Sequence, residues 1–166
     1  MNNTRILFVC MGNICRSPAA EGVMKYLLED ADLADKVEVD SAGTYGYHTG
    51  ELPDSRMRKA ASQRDIKLTH LAREITPADL DEFDLVLVMD HDNYQNVKTL
   101  DRDQQYHDKI RLFCEYCTEH DNEVVPDPYY GGADGFELVL DLLEDGCAEL
   151  VKRLQEGQPL IDNTRA

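Results

Sequence analysis

Arg5–Leu28 reads RILFVCMGNICRSPAAEGVMKYLL, and the change of pattern inside it sets the fold class. RILFVC is a short, wholly apolar run of the kind that forms a strand buried on both faces of a parallel sheet. Pro18 stands where a first helical residue belongs, with Ser17 before it as the expected N-cap. Beyond it Ala20, Val23, Met24, Leu27 and Leu28 recur at helical spacing on one face. Strand and helix are therefore joined by a tight loop, CMGNICRSP.

The same alternation continues outward. KVEVDSAGT, residues 36–44, alternates apolar and polar positions as a second strand. Asp54 opens a weaker helix through Met57, Ala60 and Ala61. In REITPADLDEF, Thr76 is the expected N-cap, Pro77 takes the first helical position and Asp79 lies in the first turn. DLVLVMD is a third buried strand ending at Asp90; a polar helical segment follows, then KIRLF as a fourth strand. VVPDPYYGGADG is a breaker-rich loop, after which Phe136, Val139, Leu140, Leu143, Cys147, Leu150, Val151 and Leu154 mark a long amphipathic helix. GQPLIDNTRA, residues 157–166, reads as a loose tail after a domain of residues 1–156. Strands alternating with helices predict a single α/β domain whose four-stranded, mainly parallel sheet is flanked by helices. In such sheets a site lies beyond the carboxyl ends of the strands, at a topological switch point. CMGNICRS, DSAGT and the pair Met89–Asp90 all fall at those ends.

Composition narrows the partners. The 166 residues carry 17 Lys and Arg against 33 Asp and Glu, a net charge of −16. That field repels nucleic acid and anionic lipid, and no basic stripe offsets it, so neither is an expected partner. MNNTRILFVC lacks the pattern of a secretory leader, and the apolar runs are too short to span a bilayer. Five scattered cysteines, an odd number, suit reduced thiols and a cytoplasmic location.

The loop after the first strand has its own chemistry. A short turn from strand into helix aims several N–H groups at one point, and the helix N-terminus adds partial positive charge. Gly12 permits close approach, and Asn13 tolerates the left-handed conformation that such a nest needs. The segment Met11, Gly12, Asn13, Ile14, Cys15 and Arg16 is thus an anion cradle, with the Arg16 fork suited to two phosphate oxygens. The Gly-Lys-Ser/Thr of a nucleotide-binding phosphate loop is absent. Cys10 lies at the bottom, where the N–H groups, the helix dipole and Arg16 favour a thiolate. Ser17 is placed to donate a hydrogen bond to the sulfur as it leaves. A thiolate facing a bound phosphate ester is positioned for displacement through a phosphocysteine. A loop wrapped around phosphate also brings its ends together, so Cys15 is expected beside Cys10 as a redox partner.

VCMGNICRSPAAE resembles the signature of the low-molecular-weight protein tyrosine phosphatases. VDSAGT, GYHTGELPD, FDLVLVMD and DPYYG follow in that family's order, so the resemblance covers nearly the whole chain. It implies a metal-independent enzyme without a cofactor, acting on phosphotyrosine in proteins, a tyrosine kinase being one such substrate. It assigns Cys10 as nucleophile, Arg16 as phosphate clamp and Asp127 as the acid that protonates the leaving group and then serves as base. Pro126 and Pro128 stiffen Asp127, and apolar Val125 with two aromatics predicts its partial burial, which favours the protonated carboxyl. By the same resemblance Tyr47, Tyr129 and Tyr130 wall a slot for the substrate ring, with Tyr45 nearby. Asn13, Ser17, Ser41 and His70 are the implied hydrogen-bonded support of the loop. Three other readings share the loop. An arsenate reductase would use further cysteines but leave Asp-Pro-Tyr-Tyr without a role, and an arginine phosphatase carries Thr where Ile14 stands. A phosphotyrosine-binding module would not need both Cys10 and Asp127. CEYC, Cys114 to Cys117, has metal-like spacing but no second cysteine pair, so no metal is expected there.

Overall fold

Four parallel strands are covered by helices on both faces. The structure is a computed structural model, and it describes residues 3–129 and 131–161. The strands are β1 (Thr4–Cys10), β2 (Val37–Gly43), β3 (Leu85–Val88) and β4 (Ile110–Leu112). The helices are α1 (Arg16–Asp30), α2 (Ser55–Ser62), α3 (Pro77–Glu82), α4 (His91–Lys98) and α5 (Ala133–Glu156). The sheet order is β2-β1-β3-β4 and every pairing is parallel.

The period-two alternation of a strand divides the apolar run of β1 between two cores. Ile6 and Phe8 face a core shared with α1, α2 and α5, whereas Leu7 and Val9 join Leu80, Phe83 and Val97 on the side of α3 and α4. This two-sided burial explains why β1 and β3 are apolar throughout. Helix α5 approaches closely: a Cβ on Gly146 would lie 2.4 Å from Cζ of Phe113, so only glycine fits beneath that ring.

The expected starts of α2 and α3 hold, and Asp90 caps α4 besides. Asp54 accepts from the Arg56 N–H at the start of α2, and Asp90 does the same from Asn93 at α4. Thr76 and Asp79 form a reciprocal capping box at α3. Helix α5 begins at Ala133, one turn before the expected Phe136, and closes at Gly157 in the left-handed conformation (φ 69°). Two short 3-10 turns, His107–Lys109 and Phe113–Tyr116, flank β4 and have no signal in the sequence pattern. The first residues of the expected tail are anchored: the carbonyl of Leu160 accepts from the Tyr116 hydroxyl at 2.6 Å, and Leu160 and Ile161 pack on the core. Residues 162–166 lie outside the described residues. Among the described residues, no helix is long and apolar enough to cross a membrane.

The order β2-β1-β3-β4 means that the chain leaves β1 in one direction and returns past it to β3. The crevice between those two strands at their carboxyl ends is the switch point. Cys10 ends β1 there, and Met89 and Asp90 follow β3.

Candidate active site

The turn from Cys10 into α1 is held from outside by its carbonyl groups. The N–H groups of Thr44, Tyr45 and Asp54 donate to the carbonyls of Cys10, Met11 and Ile14 at 2.9, 3.0 and 2.8 Å. With the carbonyls drawn outward, the peptide planes present their N–H sides to the centre of the loop. The Asn13 N–H points at Cys10 Sγ from 3.3 Å, and Asn13 adopts the left-handed φ of 59° that its residue type allows. Gly43 makes this packing possible. A Cβ there would lie 2.7 Å from the Met11 oxygen and 3.0 Å from the Asn13 nitrogen, so the loop rests on bare backbone.

Ser17 is not the N-cap. Helix α1 starts at Arg16, with Cys15 in the cap position and no side-chain cap. The Ser17 hydroxyl is turned into the loop instead, 3.0 Å from Cys10 Sγ, and it accepts from Asn13 Nδ2 at 2.7 Å. The support residues expected by resemblance are brought together through the Asn13 amide. Its nitrogen also donates to Ser41 Oγ (3.1 Å), while its oxygen accepts from His70 Nε2 (3.0 Å) and the Arg73 N–H (2.9 Å). All four bonds of a buried amide are made, which fixes the loop conformation.

Behind this amide lie residues the sequence reading missed. Ser41 donates to Glu21 Oε1 at 2.7 Å, and His70 Nδ1 lies 3.1 Å from the same oxygen. Glu21 is buried one helical turn beyond Ser17, so a polar residue on the inward face of α1 was its available signal. Glu21, Asp40 and His70 bring ligand-type atoms within 4.8 Å of one another. Their charges are already met: Lys25 pairs with Glu21 at 2.6 Å, and Arg73 bridges Asp40 and Asp79 at 3.0 Å each. The group is a closed hydrogen-bonded buttress.

Arg16 enters the crevice almost fully buried. Its Nη1 donates to Asp90 Oδ2 at 2.6 Å and to the Val125 carbonyl at 3.0 Å, and its Nη2 lies 3.8 Å from Asp127 Oδ2. Burial works against its charge, but negative charge at Cys10, the hydrogen bond to Asp90 and the field of Asp127 outweigh it. Arg16 is therefore held above the ordinary guanidinium value. Asp90 belongs to the site as the orienting partner of Arg16, and its place at the end of β3 was the sign of it.

Asp127 stands across the crevice, partly buried. Its side chain is 34% exposed. Val125 and Pro128 take the buried positions, with the Val125 N–H on the Met89 carbonyl at 2.8 Å, and Asp127 between them lines the cleft. Oδ1 accepts from the Tyr129 N–H at 3.0 Å. Arg56, paired with Asp54, donates to the Tyr129 carbonyl at 3.0 Å and so ties this loop to α2.

These groups open onto one cleft of about 600 Å³. Cys10, Cys15, Arg16 and Asp127 line it together with Met11, Gly12 and Ile14 of the loop, and Tyr45, Tyr47 and Tyr129 form its aromatic sides. Tyr130 lies outside the described residues. His48, which the sequence reading passed over, also lines the cleft; its ring sits edge-on to Tyr47 and close above Gly12. Cys15 is buried and lines the same cleft as Cys10, and burial, with Asp54 and Cys10 adding, pushes its thiol up so that it keeps its proton.

A parallel sheet with a cysteine-and-arginine loop at its switch point makes the chain an α/β protein with a candidate phosphate site. Residues 5–160 match the family model described as low molecular weight phosphotyrosine protein phosphatase, and the chain belongs to that family. A relative from Synechocystis sp., named as a candidate low molecular weight protein-tyrosine-phosphatase, is 48% identical over 158 residues, 95% of this chain and 99% of its own. A crystal structure of protein tyrosine phosphatase from Entamoeba histolytica superposes with a TM-score of 0.88 at 46% identity, covering 93% of this chain and 99% of that one. The crystal structure of a drosophila arginine phosphatase is also similar, with a TM-score of 0.83 at 31% identity over 90% of this chain and 97% of its own.

Proposed function

We propose that the chain hydrolyses phosphotyrosine in proteins by two displacements at Cys10. The Cys10 thiolate attacks phosphorus while the bond to the tyrosine oxygen breaks, and Asp127 gives its proton to the departing phenolate. The phosphoryl group then sits on sulfur, its oxygens held by the loop N–H groups and the Arg16 fork. Asp127, now a carboxylate, takes a proton from the water that attacks phosphorus, and the sulfur leaves with Ser17 as hydrogen-bond donor. One observation carries the reading: Cys10 and Arg16 from the loop after β1, and Asp127 from a segment over a hundred residues away, converge on one aromatic-sided cleft. The odd, unframed set of cysteines supports a cytoplasmic setting.

The cleft also bears on substrate class. A thiolate at the floor between tyrosine rings suits an ester long enough to carry its phosphate down, with its ring stacked on Tyr47 and Tyr129. A phosphoserine peptide meets the rim first. Matched phosphotyrosine and phosphoserine peptides are therefore expected to differ strongly in kcat/KM in favour of phosphotyrosine; comparable values would remove the slot from the argument. Ile14 turns an apolar side chain to the cleft where the arginine phosphatases carry Thr, which favours phosphotyrosine over phosphoarginine. A tyrosine kinase carrying its own phosphotyrosine is one candidate partner, to be sought by trapping with Asp127→Ala.

Cys15 adds control to the same site. It lines the same cleft as the nucleophile and keeps its proton. Peroxide oxidation of Cys10 to a sulfenic acid is expected to be followed by condensation with Cys15 to a disulfide and water. After peroxide and then dithiothreitol, the wild type should recover activity and Cys15→Ser should recover much less. Equal recovery, with no linked Cys10–Cys15 peptide, speaks against the pair.

A further inference from the structure

The 3-10 turn Phe113–Tyr116 and its C-cap hold a CEYC sequence that the phosphatase reading leaves unused. The Cys117 N–H donates to the Cys114 carbonyl at 3.2 Å, which closes the turn around the two cysteines. In 3-10 geometry residues three apart lie above one another, so both side chains leave the turn on the same side. A hydrogen-bonded turn of this kind brings its end Cα atoms within about 7 Å, and a disulfide spans roughly 4.4–6.8 Å. Cys117 Sγ donates to the Leu142 carbonyl at 3.5 Å; the mutual influence of the two thiols lowers Cys114, while the same influence and burial push Cys117 up. Cys117 is half-buried and Cys114 is 8% exposed, so the pair lies at the surface of the core rather than in its interior. His120, the nearby residue that could make a metal site of the pair, is engaged by Asp145 at 2.7 Å. Asp145 also accepts the N–H groups of Thr118, Glu119 and His120, which fixes the chain just after the turn.

We propose that Cys114 and Cys117 are a second redox centre, a dithiol that peroxide closes reversibly to a disulfide independently of Cys10 and Cys15. Peroxide first takes one thiolate to a sulfenic acid: an S–O bond forms, the O–O bond breaks and water leaves. The second thiol attacks that sulfur, the S–S bond forms as the S–O bond breaks, and a second water is released. The two thiols are oxidised together by the two electrons that one peroxide accepts. The ring so formed closes within one turn and links no second element, so the sheet and the cleft keep their geometry in both states. Cys147 is the internal contrast. Its side chain is wholly buried in α5, its sulfur faces the Ala20 carbonyl at 3.9 Å, and burial keeps it a thiol.

The test uses the full chain carrying Cys10→Ser and Cys15→Ser, so that neither cysteine of the cleft takes part. The folded protein is treated with hydrogen peroxide, alkylated without reductant, digested and mapped. The expected result is a linked Cys114–Cys117 peptide with Cys147 still alkylated, and full return of both thiols after dithiothreitol. Adding Cys117→Ser should abolish the reversible loss. In the wild type, the same linked peptide should form while inorganic phosphate covers the cleft. Full alkylation of Cys114 and Cys117 after peroxide, sulfinic or sulfonic acids without a linked peptide, or a link to Cys147 would each overturn the proposal.

Discussion

Cys10→Ser is expected to remove turnover of aryl phosphates altogether while leaving the fold and the affinity for inorganic phosphate largely intact. The two halves of this result have different physical sources. Turnover needs an ionised nucleophile, and a serine hydroxyl is not ionised near neutral pH without a strong base beside it. The hydroxyl of Ser17 and the N–H of Asn13 are the groups in contact with the sulfur, and neither is such a base. Phosphate affinity, by contrast, rests on backbone N–H groups and Arg16, whose positions are set elsewhere. Asn13 is held by Ser17, Ser41, His70 and Arg73, and Arg16 by Asp90 and the Val125 carbonyl. None of these bonds uses the sulfur. Calorimetric phosphate binding and a turnover assay on the same preparation separate the halves. Turnover near the wild-type rate would remove Cys10 as the nucleophile. Lost phosphate affinity with a normal thermal transition would mean that the sulfur itself props the loop.

The parts of the site that were legible in the sequence are those joined by a few covalent bonds. Cys10, the left-handed Asn13 and Arg16 lie within seven consecutive residues, and the patterns of strand and helix on either side fix where that loop stands. Thr76 as a cap and Asp54 as the start of its helix were legible for the same reason, because a cap acts on its own helix within three residues. Ser17 shows where local reasoning fails. Its type and place before Pro18 say N-cap, but the loop offers its hydroxyl a sulfur and a buried amide, and tertiary partners win. Glu21 on the inward face of α1 and Asp90 at the end of β3 carried a signal of place but none of their partners. Arg73 and His48 reach the site only through the folding of distant segments, so no spacing announces them. Gly43 is similar: its need for a bare backbone comes from Met11 and Asn13, some thirty residues earlier, pressing against it. Asp127 falls between these cases. Its apolar neighbours suggested partial burial, and Val125 and Pro128 take the core positions while the carboxyl lines the cleft with its side chain 34% exposed. The resemblance, rather than any periodicity, supplied its role.

Asp127→Asn is expected to slow substrates according to their leaving group. An ester of an acidic phenol departs as a stable anion and needs little help, whereas tyrosine leaves as a basic phenolate that must be protonated as the bond breaks. Loss of a general acid typically costs about a hundredfold or more, so phosphotyrosine and phenyl phosphate should fall by at least that order and nitrophenyl phosphate by much less. The substitution is a clean one. An asparagine oxygen can still accept the Tyr129 N–H that now reaches Asp127 Oδ1, and Arg56 still ties the loop to α2 through the Tyr129 carbonyl. What changes is the ionisable oxygen 3.8 Å from Arg16 Nη2. The second displacement adds a further signature. If the same carboxylate takes the proton from the attacking water, the variant forms phosphocysteine from a good substrate faster than it hydrolyses it. Rapid mixing should then show a burst of nitrophenol close to one equivalent of enzyme, followed by a slow steady state. An equal, small loss on good and poor leaving groups, with no burst, would show that Asp127 is neither the acid nor the base and that the proton reaches the phenolate from solvent.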